Sequence, residues 1–246
     1  MANTKLQKTF SQAATSTKKG TFSFWMKRAS LSGEQVILAS PYGGSGRSFI
    51  RLENASGQIY ATINNASDAY IPNMLFRDLS AWYHIVLAID LTQSTSTDRL
   101  KFYVNGNLIT SYATQNHPSS SETISWGQNG ILTDIGYDTR DNGGYFNGSL
   151  SHIHWIDGTA YDASAFGETD ATTGEWKIKT SPSVTYGNNG FFILKDGNSV
   201  TDQSGNSNNF TVAGGTLTKT ESSPSNVFAT WNPLAKHSDV SLYNGN

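Results

Sequence analysis

Strict alternation across Trp82–Asn107 is the feature that most narrows the possible folds. Tyr83, Ile85, Leu87 and Ile89 interleave with Trp82, His84, Val86, Ala88 and Asp90. After a polar loop, Leu100, Phe102 and Val104 interleave with Arg99, Lys101, Tyr103 and Asn105. Apolar residues at every second position put one strand face on a core, and Asn105-Gly106 suits the positive backbone angles of a two-residue hairpin turn. Both segments therefore belong to an antiparallel sheet.

The same reading predicts further strands over Thr21–Arg28, Gln35–Ser40, Ser48–Asn54, Gln58–Ile63, Leu108–Tyr112, Tyr145–Ile156, Gly190–Lys195 and Asn209–Val212. Turn chemistry separates them, for example at Ser56-Gly57, Asn129-Gly130, Asn147-Gly148 and Gly214-Gly215. No segment carries an apolar stripe of helical period over three turns. The best helical candidate is a single turn at Asp162–Phe166, with Asp162 as its cap. Many short strands with few helices predict an all-β fold, a two-sheet antiparallel jelly-roll β-sandwich. The expected division is an N-terminal arm (1–17), the sandwich (18–215) and an extended C-terminal tail or assembly segment (216–246), with Val227, Phe228, Trp231 and Leu234 as the tail's apolar anchors.

Composition narrows the partners. Aromatic residues make up 12% of the 246, enough for a substantial core, while charged residues are only 15%. Solubility then rests on Ser, Thr, Asn and Gly, a surface suited to neutral hydrogen-bonding partners. A net charge of −2 speaks against nucleic-acid binding, which needs clustered Lys and Arg. The one basic cluster, Lys5, Lys8, Lys18 and Lys19, reads as a solvated arm. With no cysteine, disulfides, thiol catalysis and thiolate metal sites are excluded. No apolar core of a signal peptide and no run of about 20 apolar residues is present, so a cytosolic product without membrane insertion is expected. In such a product the sequons at Asn54, Asn65, Asn147 and Asn209 carry no meaning.

The pattern W-Y-H-I-V-L…D-R-L-K-F-Y-V-N-G at Trp82–Gly106 resembles the laminin-G-like branch of the concanavalin A-like lectin/glucanase superfamily. Leu132–Gly136, Tyr145–Leu150 and Ile153–Gly158 are similar to that branch's later strand pair. Ser23–Arg28, Ile156–Lys179, Asp202–Val212 and Ser223–Leu234 are similar to a version found in bacteriophage virion proteins, fibre-like or surface-exposed. The resemblance implies a curved jelly roll that binds glycans or proteins, displayed on a virion surface after synthesis in the host cytoplasm. Its implied partners are other virion subunits and a host-surface polysaccharide or protein, with a homo-oligomer, a trimer by analogy, as the expected state. A purely structural role as virion decoration or connector stands beside adhesion, and a glycan depolymerase is the remaining alternative.

Catalysis finds little support. Glycoside hydrolysis needs two carboxylates roughly 5–9 Å apart, which on a strand means same-face spacing. The strand analogous to the family's last concave one, Ser149–Asp157, offers His152 and His154 where those acids would stand. The six Glu residues (34, 53, 122, 168, 175 and 221) lie in predicted loops, strand ends or the tail. His152 and His154 could share a zinc ion or pack against Trp and Tyr neighbours. No G-x-S-x-G elbow and no phosphate-cradling loop is present.

Sugar recognition needs aromatic faces with Asn, Asp and Arg hydrogen bonds. Two loops have that composition, Tyr42–Arg47 and Tyr137–Tyr145. The candidate carbohydrate-binding residues are Tyr42, Arg47, Tyr137, Asp138, Arg140, Asp141, Asn142 and Tyr145, although the second loop also reads as a polar hairpin tip. Trp126 and Tyr70 are further candidates that could equally be buried. No cofactor is required by this reading. A structural Ca²⁺ could be held by Asp138 and Asp141 with backbone carbonyls, or by the alternating oxygens of Asp202, Ser204, Asn206 and Asn208, a text that also forms a turn.

Overall fold

The computed structural model describes residues 3–41, 47–53, 56–64, 69–195 and 199–225. Its strands are β1 (Lys5–Thr9), β2 (Lys19–Arg28), β3 (Gln35–Pro41), β4 (Arg47–Leu52), β5 (Ile59–Thr62), β6 (Tyr70–Pro72), β7 (Tyr83–Asp90) and β8 (Leu100–Val104). They continue with β9 (Asn107–Leu108), β10 (Tyr112–Gln115), β11 (Leu132–Ile135), β12 (Gly148–Asp157), β13 (Gly167–Thr169), β14 (Trp176–Ile178), β15 (Phe191–Ile193) and β16 (Thr211–Gly214). An eight-stranded sheet runs β10-β6-β5-β4-β3-β11-β1-β16, and a six-stranded sheet runs β15-β12-β2-β7-β8-β9. Every named pairing is antiparallel, and β13–β14 form a separate hairpin. The expected all-β sandwich is what forms.

Alternation sets the two inner faces. Phe22, Phe24, Met26, Ile85, Leu87, Ile89, Leu100, Phe102 and Val104 from one sheet meet Leu6, Leu38, Ile50, Leu52, Ile59, Ala61 and Ile135 from the other in a single buried cluster. The Asn105-Gly106 turn closes β8 onto β9 with φ of 46° and 81°, as its sequence predicts. Ala163–Ala165 forms one 3₁₀ turn, with Asp162 accepting a 2.8 Å bond from Ser164 N.

Several boundaries differ from the sequence reading, each for a local reason. Lys5–Thr9 is no solvated arm: β1 pairs with β11 and β16, buries Leu6 and leads to buried Phe10. The expected strand at Leu108–Tyr112 is two strands in different sheets, because the chain crosses the sandwich between β9 and β10. The strand expected from Tyr145 starts at Gly148, since Phe146 turns inward and donates its N–H to Gly136 O. Leu194, at φ 56°, leaves β15 short. The tail anchors Val227, Phe228, Trp231 and Leu234 lie outside the described residues.

The outward face of the six-stranded sheet is itself covered. Residues 159–188 lay Phe166, Trp176, Val184 and Tyr186 over Val86 and Ile156. Consequently β2 and β7 are buried on both faces.

Candidate functional site

Arg47, the one described residue of the first loop, meets the 137–145 hairpin at the outer face of the eight-stranded sheet. Arg47 opens β4, and its Nη2 donates to Asp138 Oδ2 at 2.8 Å and also to Asp141 Oδ2. These partners are 91 and 94 residues away in sequence. The second loop is a tight hairpin in which Asp138 and Gly143 exchange backbone hydrogen bonds.

Side chains fix this hairpin from within. Asp138 Oδ1 accepts from Arg140 N at 2.9 Å, an Asx-type turn. Tyr137 donates to Asn142 Oδ1 at 2.5 Å, while Tyr145 packs against Tyr137 with centroids 4.5 Å apart. Burial, then the charges of Tyr145, Asp134 and Asp138, push the Tyr137 hydroxyl's pKa up. Below the turn, buried Asp134 accepts from Gln7 Nε2 at 2.8 Å and from Thr139 N at 2.9 Å, tying the hairpin to β1.

Of the eight candidates, Tyr42 lies outside the described residues. Tyr137 and Asp138 are buried and committed to the loop's own frame. Arg140, Asp141 and Asn142 are exposed, and Tyr145 and Arg47 are partly exposed. The structure thus brings Arg47 and the 137–145 hairpin together, and presents only part of the set to solvent. Trp126 and Tyr70 are buried in the core and offer no sugar platform.

Period-two reading of β4 also signals a row of which the candidate set holds only Arg47. Arg47, Phe49 and Arg51 share a face, with both guanidinium groups 4.5 Å from the Phe49 ring centre. Arg51 bonds Glu34 and Glu53, each at 2.8 Å, and lies over Tyr60. Cations stacked on aromatic rings and paired with carboxylates hold this face rigid.

The carboxylates proposed for calcium have other partners in this structure. Asp138 and Asp141 already face the Arg47 guanidinium, whose charge opposes a cation there. Asp202 accepts from Phe192 N, Ser204 N, Ser204 Oγ and Asn208 N at 2.7–2.9 Å, so donors occupy both its oxygens and brace the turn. Among the described residues, no group of three His, Asp or Glu side chains is arranged to hold a metal.

The outward face of β12 carries no acid pair. His154 is buried, stacks on Phe192 at 3.9 Å and bonds Tyr186 through Nδ1 at 2.9 Å. Burial, then the neighbouring His152 and His84, keeps its pKa well below that of a free imidazole. His152 bonds Ser151 Oγ through Nδ1, at a bulge that shifts the β12–β2 register. The histidines therefore take the packing role.

Ser23 Oγ and His84 Nε2 lie 2.9 Å apart, the spacing of a nucleophile and its base. Trp176 Nε1, however, donates to His84 Nδ1 at 2.9 Å. That bond requires a lone pair on Nδ1, so the neutral ring carries its proton on Nε2 and cannot accept one from Ser23. Ser23 is also buried. The pair is structural.

Comparison with known proteins agrees with this architecture. No curated protein matches the chain at a significant level. A proposed carbohydrate-binding protein from Bacteroides ovatus is similar over 86% of this chain and 57% of that chain, with 15% identity and a TM-score of 0.50. This chain therefore spans little more than half of that relative. A heptameric SAP-like pentraxin from Limulus polyphemus is similar over 64% of this chain and 71% of its own, with 16% identity and a TM-score of 0.44. The sialidase CBM40 of Ruminococcus gnavus, solved with α2,6-sialyllactose, is similar over 59% and 89%, with 15% identity and a TM-score of 0.40. At 15% identity the likeness to the Bacteroides ovatus protein concerns the fold alone. Residues 3–164 match a laminin-G family model described as the concanavalin A-like lectin/glucanases superfamily, and the chain belongs to that superfamily.

Proposed function

We propose that the chain is a non-catalytic, lectin-like module that binds glycan on a host surface, displayed on a bacteriophage particle. The observation that carries this reading is the pairing of Arg47 with Asp138 and Asp141, which ties the start of β4 to the 137–145 hairpin in one preformed rim. Arg140, Asp141, Asn142 and Tyr145 then offer donors, acceptors and an aromatic face, and the bonds to Asp141 and Asn142 lower the ordering cost on binding. The virion setting and a trimeric assembly with other virion subunits draw on the sequence motifs alone. Absence of catalysis is supported by β12, whose outward face bears buried histidines where glucanases need acids.

The test is binding of the whole chain to a bacterial glycan array and to intact host cells, beside an Asn142→Ala/Tyr145→Ala double variant. Saturable binding that falls at least tenfold in the double variant supports the reading. A folded chain that binds nothing, or a double variant that binds equally, overturns it.

A connector role draws on the same hairpin, because Tyr137 and Asp138 spend their polar groups on bracing. It predicts that the rim is covered by a neighbouring subunit in the assembled particle. Release of reducing ends from host polysaccharide would instead reinstate a depolymerase.

A further inference from the structure

A second concavity lies on the other sheet, away from Arg47. It has a volume of about 390 Å³ and lies between β7–β8 and the covering segment, lined by Ala88, Asp90, Asp98, Lys101, Tyr103 and Asp162, together with Gln93 and Ala160. That volume is in the range of small-ligand sites.

Its polar groups divide into committed and available sets. Asp90 is spent: Oδ1 accepts from Thr92 N and Oγ1, and Oδ2 from Gln93 Nε2, with Lys19 Nζ at 3.2 Å. Asp98 uses Oδ1 on Lys101 Nζ at 3.3 Å, and Asp162 uses Oδ1 on Ser164. Asp98 Oδ2, Asp162 Oδ2 and the Tyr103 hydroxyl have no hydrogen-bond partner among the described residues. Tyr103 is half-buried, so its ring is held against the covering cluster with a partly open side. Two exposed carboxylate oxygens, a phenol, an ammonium with spare donors and an aromatic face are groups that bind a polyol ring. Three carboxylates against Lys19 and Lys101 leave one negative charge, which disfavours an anionic guest.

We infer that the Tyr103 cleft is a second ligand site, independent of the Arg47 rim, which takes one neutral saccharide unit. The sugar's C–H face packs on Tyr103, and its hydroxyls donate to Asp98 and Asp162. Two sites on opposite sheets would let one module engage two segments of a polysaccharide, raising avidity with no new contact.

Backbone-resolved NMR titration with methyl glucoside, methyl galactoside, methyl mannoside and glucuronate tests this. At least one neutral glycoside is expected to shift the Ala160 amide and the Gln93 side-chain amide, with glucuronate at least tenfold weaker. Ala160→Trp, built on an exposed residue, fills the cleft and should abolish those shifts. Asp98→Asn, also exposed, should weaken binding at least fivefold. The inference fails if no neutral glycoside moves these resonances, if either variant leaves them unchanged, or if glucuronate binds as well. Shifts at Arg140 and Asn142 report the other face separately, so the two readings fail independently.

Discussion

Trp176 holds His84 in one tautomer: its indole N–H donates to Nδ1 at 2.9 Å, while the two rings stack with centroids 6.0 Å apart. Trp25 stacks on His84 at 4.8 Å, so an imidazole deep in the sheet is enclosed by two indoles. Burial, then the nearby His152, lowers its pKa from 6.5 to about 3. The closed face follows from this arrangement, and so does the acid response expected of the fold.

Stability should therefore fall with acid. Unfolding frees His84 to bind a proton near pH 6.5, whereas the folded ring resists protonation until about pH 3. The stabilisation is complete above pH 6.5 and declines through that window by about 1.4 kcal/mol per pH unit. His154, also depressed by burial, acts in the same direction. Unfolding free energies from urea titrations between pH 7 and 4.5 should fall with acid, with a slope smaller by about one proton in a His84→Gln variant. A flat profile would contradict the assignment.

Removing the cation from the rim should loosen it. Arg47→Ala leaves the Asp138 carboxylate, 2% exposed, without its charged donor. The expected loss is about 2 kcal/mol, with Arg47→Lys intermediate because a point charge cannot reproduce the planar donor fork. Chemical denaturation measures the loss, and amide exchange at residues 138–143 should show where it falls.

Asp157 is a stronger dependency. Its carboxylate accepts from Thr15 N at 2.7 Å, Ser16 N at 3.0 Å and Asn189 N at 3.0 Å, gathering two distant segments at the end of β12. Asp157→Ala orphans all three donors and should cost about 3 kcal/mol or more. Retention of wild-type thermal stability would show that water replaces the carboxylate.

Gly106 tests the hairpin and its cover together. Its φ is 81°, and a Cβ there would lie 2.4 Å from the Trp176 ring. Gly106→Ala combines an unfavourable backbone region with a clash, for an expected loss of about 2–3 kcal/mol. Displacement of Trp176 should also shift the emission spectrum; an unshifted spectrum with full stability would refute the contact.

Much of the architecture was legible because period-two alternation depends only on local order. Ile85, Leu87 and Ile89 declare their face without reference to any partner, and Asn105-Gly106 declares its turn. The Asp162 cap was readable for the same reason. Short elements with mixed faces escaped: Lys5–Thr9 carries one wholly buried apolar residue, and β13–β14 gains its order from Trp176 packing on the sheet.

Local order could also nominate Arg47 and the 137–145 loop as polar and aromatic, since composition alone suffices for that. It could not say that Arg47 would turn onto Asp138, nor that Tyr137 would be enclosed while Asn142 stays outside. Those outcomes depend on which strands become neighbours and which segment covers an outward face, as residues 159–188 do. A strand's own pattern separates its two sides; only the closed sandwich determines what each side meets, because charge pairing and burial act through space between residues far apart in the chain.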